Sequence, residues 1–177
     1  MAIRRLNHAV LFVSEVDVSA QFYCDVLGFE RLPIDFPGAA FLQGKDSAND
    51  HDLGLFRARA PRAQDGSVGL YHLAWEVSTL AELAAAKERL EAAGALNGMA
   101  NHAGTKALYG RDPDGIEFEV TWLVPDSALA GEFGPGFSPT SPLDLDAEIA
   151  RYGADTPGGP RNDRALMTAL MARVAGH

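Results

Sequence analysis

A chain of 177 residues with 47% hydrophobic, 22% charged and 8% aromatic side chains has the make-up of an ordinary globular protein, which excludes disordered and collagen-like classes. Fifteen Lys and Arg against 24 Asp and Glu leave a net charge of −9, which opposes non-specific nucleic-acid binding and attraction to anionic lipid. The single cysteine, Cys24, excludes an intramolecular disulfide and any multi-cysteine zinc or iron–sulfur site, so a metal has to be held by His and carboxylates.

No apolar run nears the ~20 residues of a membrane span. The opening MAIRRLNHAV passes from two arginines into an alternating strand pattern. A cytoplasmic protein with neither a membrane nor a nucleic acid as partner is therefore expected. The stretch LNHAVLFVSEVDVSAQFYCDVLGF, residues 6–29, predicts a strand and then a helix. Val18, Phe22, Tyr23, Val26 and Leu27 recur at helical spacing, and Gly28 suits a left-handed helix terminus. Three strand-like segments follow, FERLPIDF, AAFLQG and HDLGLFRA. The second half then repeats the first.

LYHLAWEVSTLAELAAAKERLEAAGA, residues 70–95, echoes the first copy at an offset of 64 residues, setting Leu6 on Leu70, His8 on His72 and Val13 on Val77. Thr79 and Glu82 have capping-box spacing, Leu83, Lys87 and Leu90 form a helical stripe, and Gly94 closes the helix as Gly28 does. A weak strand near 95–100 precedes TKALYG and IEFEVTWLV. Each half thus reads β-α-β-β-β. A single repeat of this length predicts two modules that pair their sheets rather than a solenoid. The boundaries expected are 1–124 for the paired modules, with module 1 over about 1–60, a linker over 61–69 and module 2 over about 70–124. Residues 125–177 form an extension belonging to neither copy: GEFGPGFSPTSP reads as loop, LDLDAEIARYG as a short acidic helix and RNDRALMTALMARVAGH as an amphipathic terminal helix.

Strand alternation sorts side chains by face. Tyr71, Leu73, Trp75 and Val77 form an apolar set opposite Leu70, His72, Ala74 and Glu76. Ile116, Phe118, Val120 and Trp122 lie opposite Glu117, Glu119 and Thr121. Trp75 and Trp122 read as packing, Cys24 as helix core or surface, and His177 as a chain terminus without a role. His8 and His72 occupy equivalent places in the two copies, so pairing the modules about a pseudo-twofold axis predicts that two imidazoles and one carboxylate converge. That set suits Fe(II), with positions left for substrate and dioxygen, and it also admits Mn(II), Ni(II) or Zn(II). The expected fold is α+β, two tandem βαβββ modules forming a curved mixed sheet around a metal site, plus a helical tail. Asp112-Pro113-Asp114-Gly115 carries turn chemistry. A left-handed Gly115 in a three-residue loop pairs Tyr109 with Glu119, whereas a plain four-residue loop sets Tyr109 on the opposite face.

These residues resemble the vicinal oxygen chelate superfamily, which includes glyoxalase I, fosfomycin-resistance transferases, bleomycin-binding proteins and type I extradiol ring-cleaving dioxygenases. The resemblance covers about residues 4–124 and is carried by LNHAVLFV with FYCDVLGF, by GLYHLAWEV and by DPDGIEFEV. It implies His8, His72 and Glu119 as metal ligands, Glu119 rather than Glu117 because the family ligand follows the turn glycine by four residues. HDLGLF and NHAGTKALYGRDPDG are similar to catechol 2,3-dioxygenase-like members. They imply His51 as an acid–base group, Tyr109 as a hydrogen-bonding partner of a substrate oxygen, and His102 as a support or substrate contact. The partners so implied are an aromatic diol and O2, in a homodimer. A glyoxalase-type isomerase, a metal-dependent thiol transferase or a metal-free drug-binding protein are the alternatives. Between them stands a fourth ligand near Asp52 or Gly54: Asp52 would supply one, and Gly54 would leave three.

Overall fold

The computed structural model describes residues 3, 5–134, 136–159 and 163–175. Two four-stranded sheets are present, each with its own helix on one face. The chain divides into a first unit, residues 1–71 with 111–116, and a second, residues 72–110 with 117–177.

In the first unit, β1 (Ala9–Val13), α1 (Val16–Leu27), β2 (Glu30–Arg31), β3 (Ala39–Gln43) and β4 (Leu53–Arg57) give the strand order β1-β4-β3-β2. β1 runs parallel to β4, with Val10 opposite Gly54, while β3 is antiparallel and sets Phe41 against Gly54 on the other side. One face carries Leu11, Val13, Leu42, Leu53 and Leu55, all buried, toward the Val16, Ala20, Tyr23 and Val26 stripe of α1. Gly28 ends α1 at φ 75° and donates to the Cys24 carbonyl, a backbone shape that costs little only without Cβ. β2 is far shorter than FERLPIDF suggests. Leu32 still donates to Phe41, but Pro33 has no N–H to continue the ladder.

The second unit repeats this order. β5 (His72–Glu76), α2 (Leu80–Ala92), β6 (Leu96–Asn101), β7 (Thr105–Arg111) and β8 (Glu117–Leu123) assemble as β5-β8-β7-β6. α2 opens with both halves of a capping box, Thr79 accepting from Glu82 N–H and the Glu82 carboxylate from Thr79 N–H. Its Leu80, Leu83, Ala86 and Leu90 are buried, as are Phe118, Val120 and Trp122 on one face of β8. Gly110 lies in that layer, where a Cβ would stand 2.5 Å from the Phe118 ring and 3.0 Å from Leu90.

The extension folds into the second unit. It contains α3 (Asp126–Glu132), α4 (Leu145–Tyr152) and α5 (Arg164–Ala175), of which α3 has no counterpart in the sequence expectation. The Trp122 ring lies 5.3 Å from that of Tyr152, and the indole N–H donates to the Thr156 carbonyl. Residues 161, 162, 176 and 177 of the terminal helix segment, His177 among them, lie outside the described residues. Among the described residues, no helix is long and apolar enough to cross a membrane.

Candidate active site

Parallel pairing of β5 with β8 sets Ala74 opposite Glu119 and His72 opposite Glu117, so these side chains share the face turned away from α2. Glu119 reaches back along the strand to His72, with Oε2 3.3 Å from Nε2; the two side chains are 11% and 25% exposed. A nitrogen and an oxygen donor thus converge in a mostly dry place. The Tyr109 ring centre is 5.9 Å from that of His72, and the Tyr109 hydroxyl is 2.9 Å from His102 Nε2.

Tyr109 is delivered by the hairpin. Gly115 has φ 76°; Asp112 N–H donates to Ile116 O and Gly115 N–H to Asp112 O, which is the three-residue loop with its left-handed glycine. Toward the other end, Val124 N–H donates to Gly104 O. One register joins both points, and it sets Tyr109 opposite Glu119. The Asp112 carboxylate pins the tip by accepting from the Asp114 and Ile116 amides and from the Tyr23 hydroxyl. Burial pushes the Asp112 carboxyl above its usual range despite these donors, and burial beside Asp112 raises the Tyr23 phenol, keeping it a donor.

In the first unit, His51 precedes β4 rather than lying in it, and its ring centre is 4.4 Å from that of exposed His8 and 5.3 Å from that of Phe41. His8 Nδ1 lies 2.8 Å from Asn7 Oδ1. Asp52 has other work: it accepts from Gly44 N–H, Ser47 Oγ and Asn49 Nδ2. Burial works against the charge of Asp52, but those donors hold its carboxyl below the usual range. Across β1 and β4, Gly54 is the residue opposite the second position after His8, just as Glu119 is opposite the second position after His72. The first unit therefore has glycine where the second has its carboxylate.

The candidate residues are thus gathered in two sets, His8 with His51 and His72 with Glu119, Tyr109 and His102. Among the described residues, no three or more His, Cys, Asp or Glu side chains are close enough together to hold a metal ion.

Sequence reasoning passed over Lys106. It is 0% exposed, on the face of β7 opposite Tyr109, and its ammonium donates to Asn101 Oδ1, the Ala103 carbonyl and Glu132 Oε2 at 2.9, 3.0 and 2.5 Å. Glu148 lies 3.3 Å away, and Glu132 also receives the Tyr152 hydroxyl and the Arg151 guanidinium. Burial opposes the charge of Glu132, but bonds from Lys106 and Tyr152 hold its carboxyl below the usual range. This network fastens α3 and α4 to the turn between β6 and β7. In that turn Ala103 has φ 56°, a left-handed shape costing a non-glycine residue about 1 kcal/mol. Strand alternation marks Lys106 only as a lysine in an apolar row; its partners lie 26 and 42 residues further on.

Known proteins resemble this chain in sequence and fold. A family model, the Glyoxalase/Bleomycin resistance protein/Dioxygenase superfamily, matches residues 5–120. The chain is 32% identical over 119 residues to the catechol-2,3-dioxygenase of Bacillus subtilis, a match covering 65% of this chain but only 40% of that protein. It is 30% identical over 151 residues to biphenyl-2,3-diol 1,2-dioxygenase 3 of Rhodococcus globerulus, covering 76% of this chain and 78% of that one. Among solved structures, lactoylglutathione lyase from Agrobacterium tumefaciens superposes with a TM-score of 0.51 at 26% identity, over 68% of this chain and 95% of that one. The matched span runs from ahead of β1 into β8, with His8, His72 and Glu119 inside it, and on that ground the chain belongs to the Glyoxalase/Bleomycin resistance protein/Dioxygenase superfamily.

Proposed function

We propose that this protein is an Fe(II)-dependent extradiol dioxygenase that cleaves a catechol-type aromatic diol with O2, with His8, His72 and Glu119 as the protein's metal ligands. The observation that carries the reading is the approach of Glu119 Oε2 to His72 Nε2 at 3.3 Å beside Tyr109. Imidazole nitrogen and carboxylate oxygen are a donor set that Fe(II) accepts, as do Mn(II), Ni(II) and Zn(II), so the pair fits the metal. His8 fits as well: Nδ1 donates to Asn7 Oδ1, leaving the lone pair on Nε2. Bound Fe(II) supplies coordination positions for both catechol oxygens and for dioxygen. The chain's own groups do the rest. His51 acts as the acid–base group, Tyr109 hydrogen-bonds a substrate oxygen, and His102 supports Tyr109 through its 2.9 Å contact. Two relatives whose names state diol or catechol dioxygenases support this choice of chemistry.

The likeness to a lactoylglutathione lyase favours a second reading, a glyoxalase-type isomerase. Against it stands Gly54 at the counterpart of Glu119, with Asp52 held by the 44–49 loop. A dimeric, cytoplasmic protein belongs to the same proposal; light scattering checks the dimer. The function is tested by anaerobic reconstitution with Fe(II), then air and a panel of catechols. A yellow ring-opened product supports the dioxygenase. Absence of cleavage across the panel, with isomerase turnover on Ni(II) or Zn(II) and no need for oxygen, establishes the second reading.

A further inference from the structure

The turn that carries His102 is held from the C-terminal extension at three points. Asn101 and Ser141 exchange backbone bonds, N–H to O at 2.8 Å and 2.9 Å. Lys106 ties the Asn101 side chain and the Ala103 carbonyl to Glu132 of α3. Third, His102 Nδ1 lies 3.3 Å from the carbonyl oxygen of Pro139.

A carbonyl oxygen can only accept. In a neutral imidazole, the proton required on Nδ1 leaves Nε2 with its lone pair, and the group 2.9 Å from Nε2 is the Tyr109 hydroxyl. From this geometry we infer that the extension is a positioning element: the Pro139 carbonyl fixes His102 as the Nδ1–H tautomer, so that Nε2 accepts the Tyr109 O–H. The consequence for substrate rests on the dioxygenase reading. With its proton directed to His102, the Tyr109 oxygen meets a substrate as an acceptor, and the ligand it suits carries a protonated hydroxyl rather than a second oxyanion.

The test does not depend on turnover. Long-range ¹⁵N–¹H correlation spectra of uniformly ¹⁵N-labelled protein at pH 8, above the ordinary imidazole value of about 6.5, report which ring nitrogen holds the proton, and His102→Gln identifies the His102 signals by their loss. The expected result is a single Nδ1–H tautomer for His102. Ser141→Pro removes the amide that bonds Asn101 and leaves Lys106 in place; it is expected to return His102 to an average of both tautomers while the signals of His8 and His51 stay put. An Nε2–H tautomer in the unmodified protein overturns the inference, and so does a His102 tautomer unchanged by Ser141→Pro in a folded variant. Should that variant fail to fold, the unmodified spectrum alone decides. A fixed Nδ1–H tautomer without catechol cleavage removes the dioxygenase reading and keeps the positioning; cleavage with an Nε2–H tautomer does the reverse.

Discussion

The two units share strand order and histidine position, yet they differ in how much chemistry their shared face can hold. In the second, the strand beside His72 brings a largely buried carboxylate to 3.3 Å from its ring. In the first, the equivalent strand offers Gly54, and Asp52, two residues before it, is occupied by loop donors. Duplication thus supplies two imidazoles from equivalent places while one copy alone keeps the acid. A second contrast lies in the buried polar ties of each unit: a tyrosine–aspartate bond at the hairpin tip in the first, a lysine-centred ion network in the second.

The widest separation between the units is expected in activity. Glu119→Ala should lower ring cleavage on the order of a thousandfold, the scale of several kcal/mol lost at a metal, whereas Asp52→Asn should leave the rate within about threefold, a difference under 1 kcal/mol. Initial rates with a catechol, after equal iron loading, separate the two. Comparable loss from both variants would abolish the asymmetry.

Next comes stability. Lys106→Met strands Glu132 and Glu148 without their buried cation and should cost about 3–5 kcal/mol in urea unfolding. The network also carries a pH signature. Because the Glu132 carboxyl is lowered in the fold, its contribution is complete above the ordinary Glu value of about 4.3 and drains away as pH falls through the lower folded value. Acid titration of the unmodified protein should show that loss, and Lys106→Met should flatten it.

Much of this was readable beforehand. The repeat and helices α1 and α2 follow from local rules, a capping box and a left-handed glycine, whereas turn chemistry left two hairpin registers open until the positive φ of Gly115 chose between them. Helix α3 was not readable, since DSALAGE is short, is preceded by Pro125 and has no side-chain cap; its place depends on Glu132 reaching Lys106. For the same reason Lys106 looked like an ordinary strand lysine. His8 and His72 stood out through repetition and Glu119 only through the family resemblance, while the Pro139 carbonyl, a backbone group in a loop, left no mark in the sequence.

Smaller effects sharpen the contrast in bracing. Tyr23→Phe takes one donor from the buried Asp112 carboxylate and should cost about 1–3 kcal/mol, read as a lowered urea midpoint with an unchanged slope. Gly54→Ala should be nearly silent, within about 1 kcal/mol, because its Cβ would meet Val10 at 3.4 Å and Phe56 at 3.6 Å, close but passable. A large loss there would mean that the glycine is required by packing rather than left vacant by the loss of an acid.

The most direct measurement is anaerobic titration with Fe(II), followed by metal analysis of the desalted protein. The account predicts about one Fe(II) per chain, retained by Asp52→Asn and lost by Glu119→Ala and by His72→Ala. Iron held as tightly by folded Glu119→Ala as by the unmodified protein would contradict it.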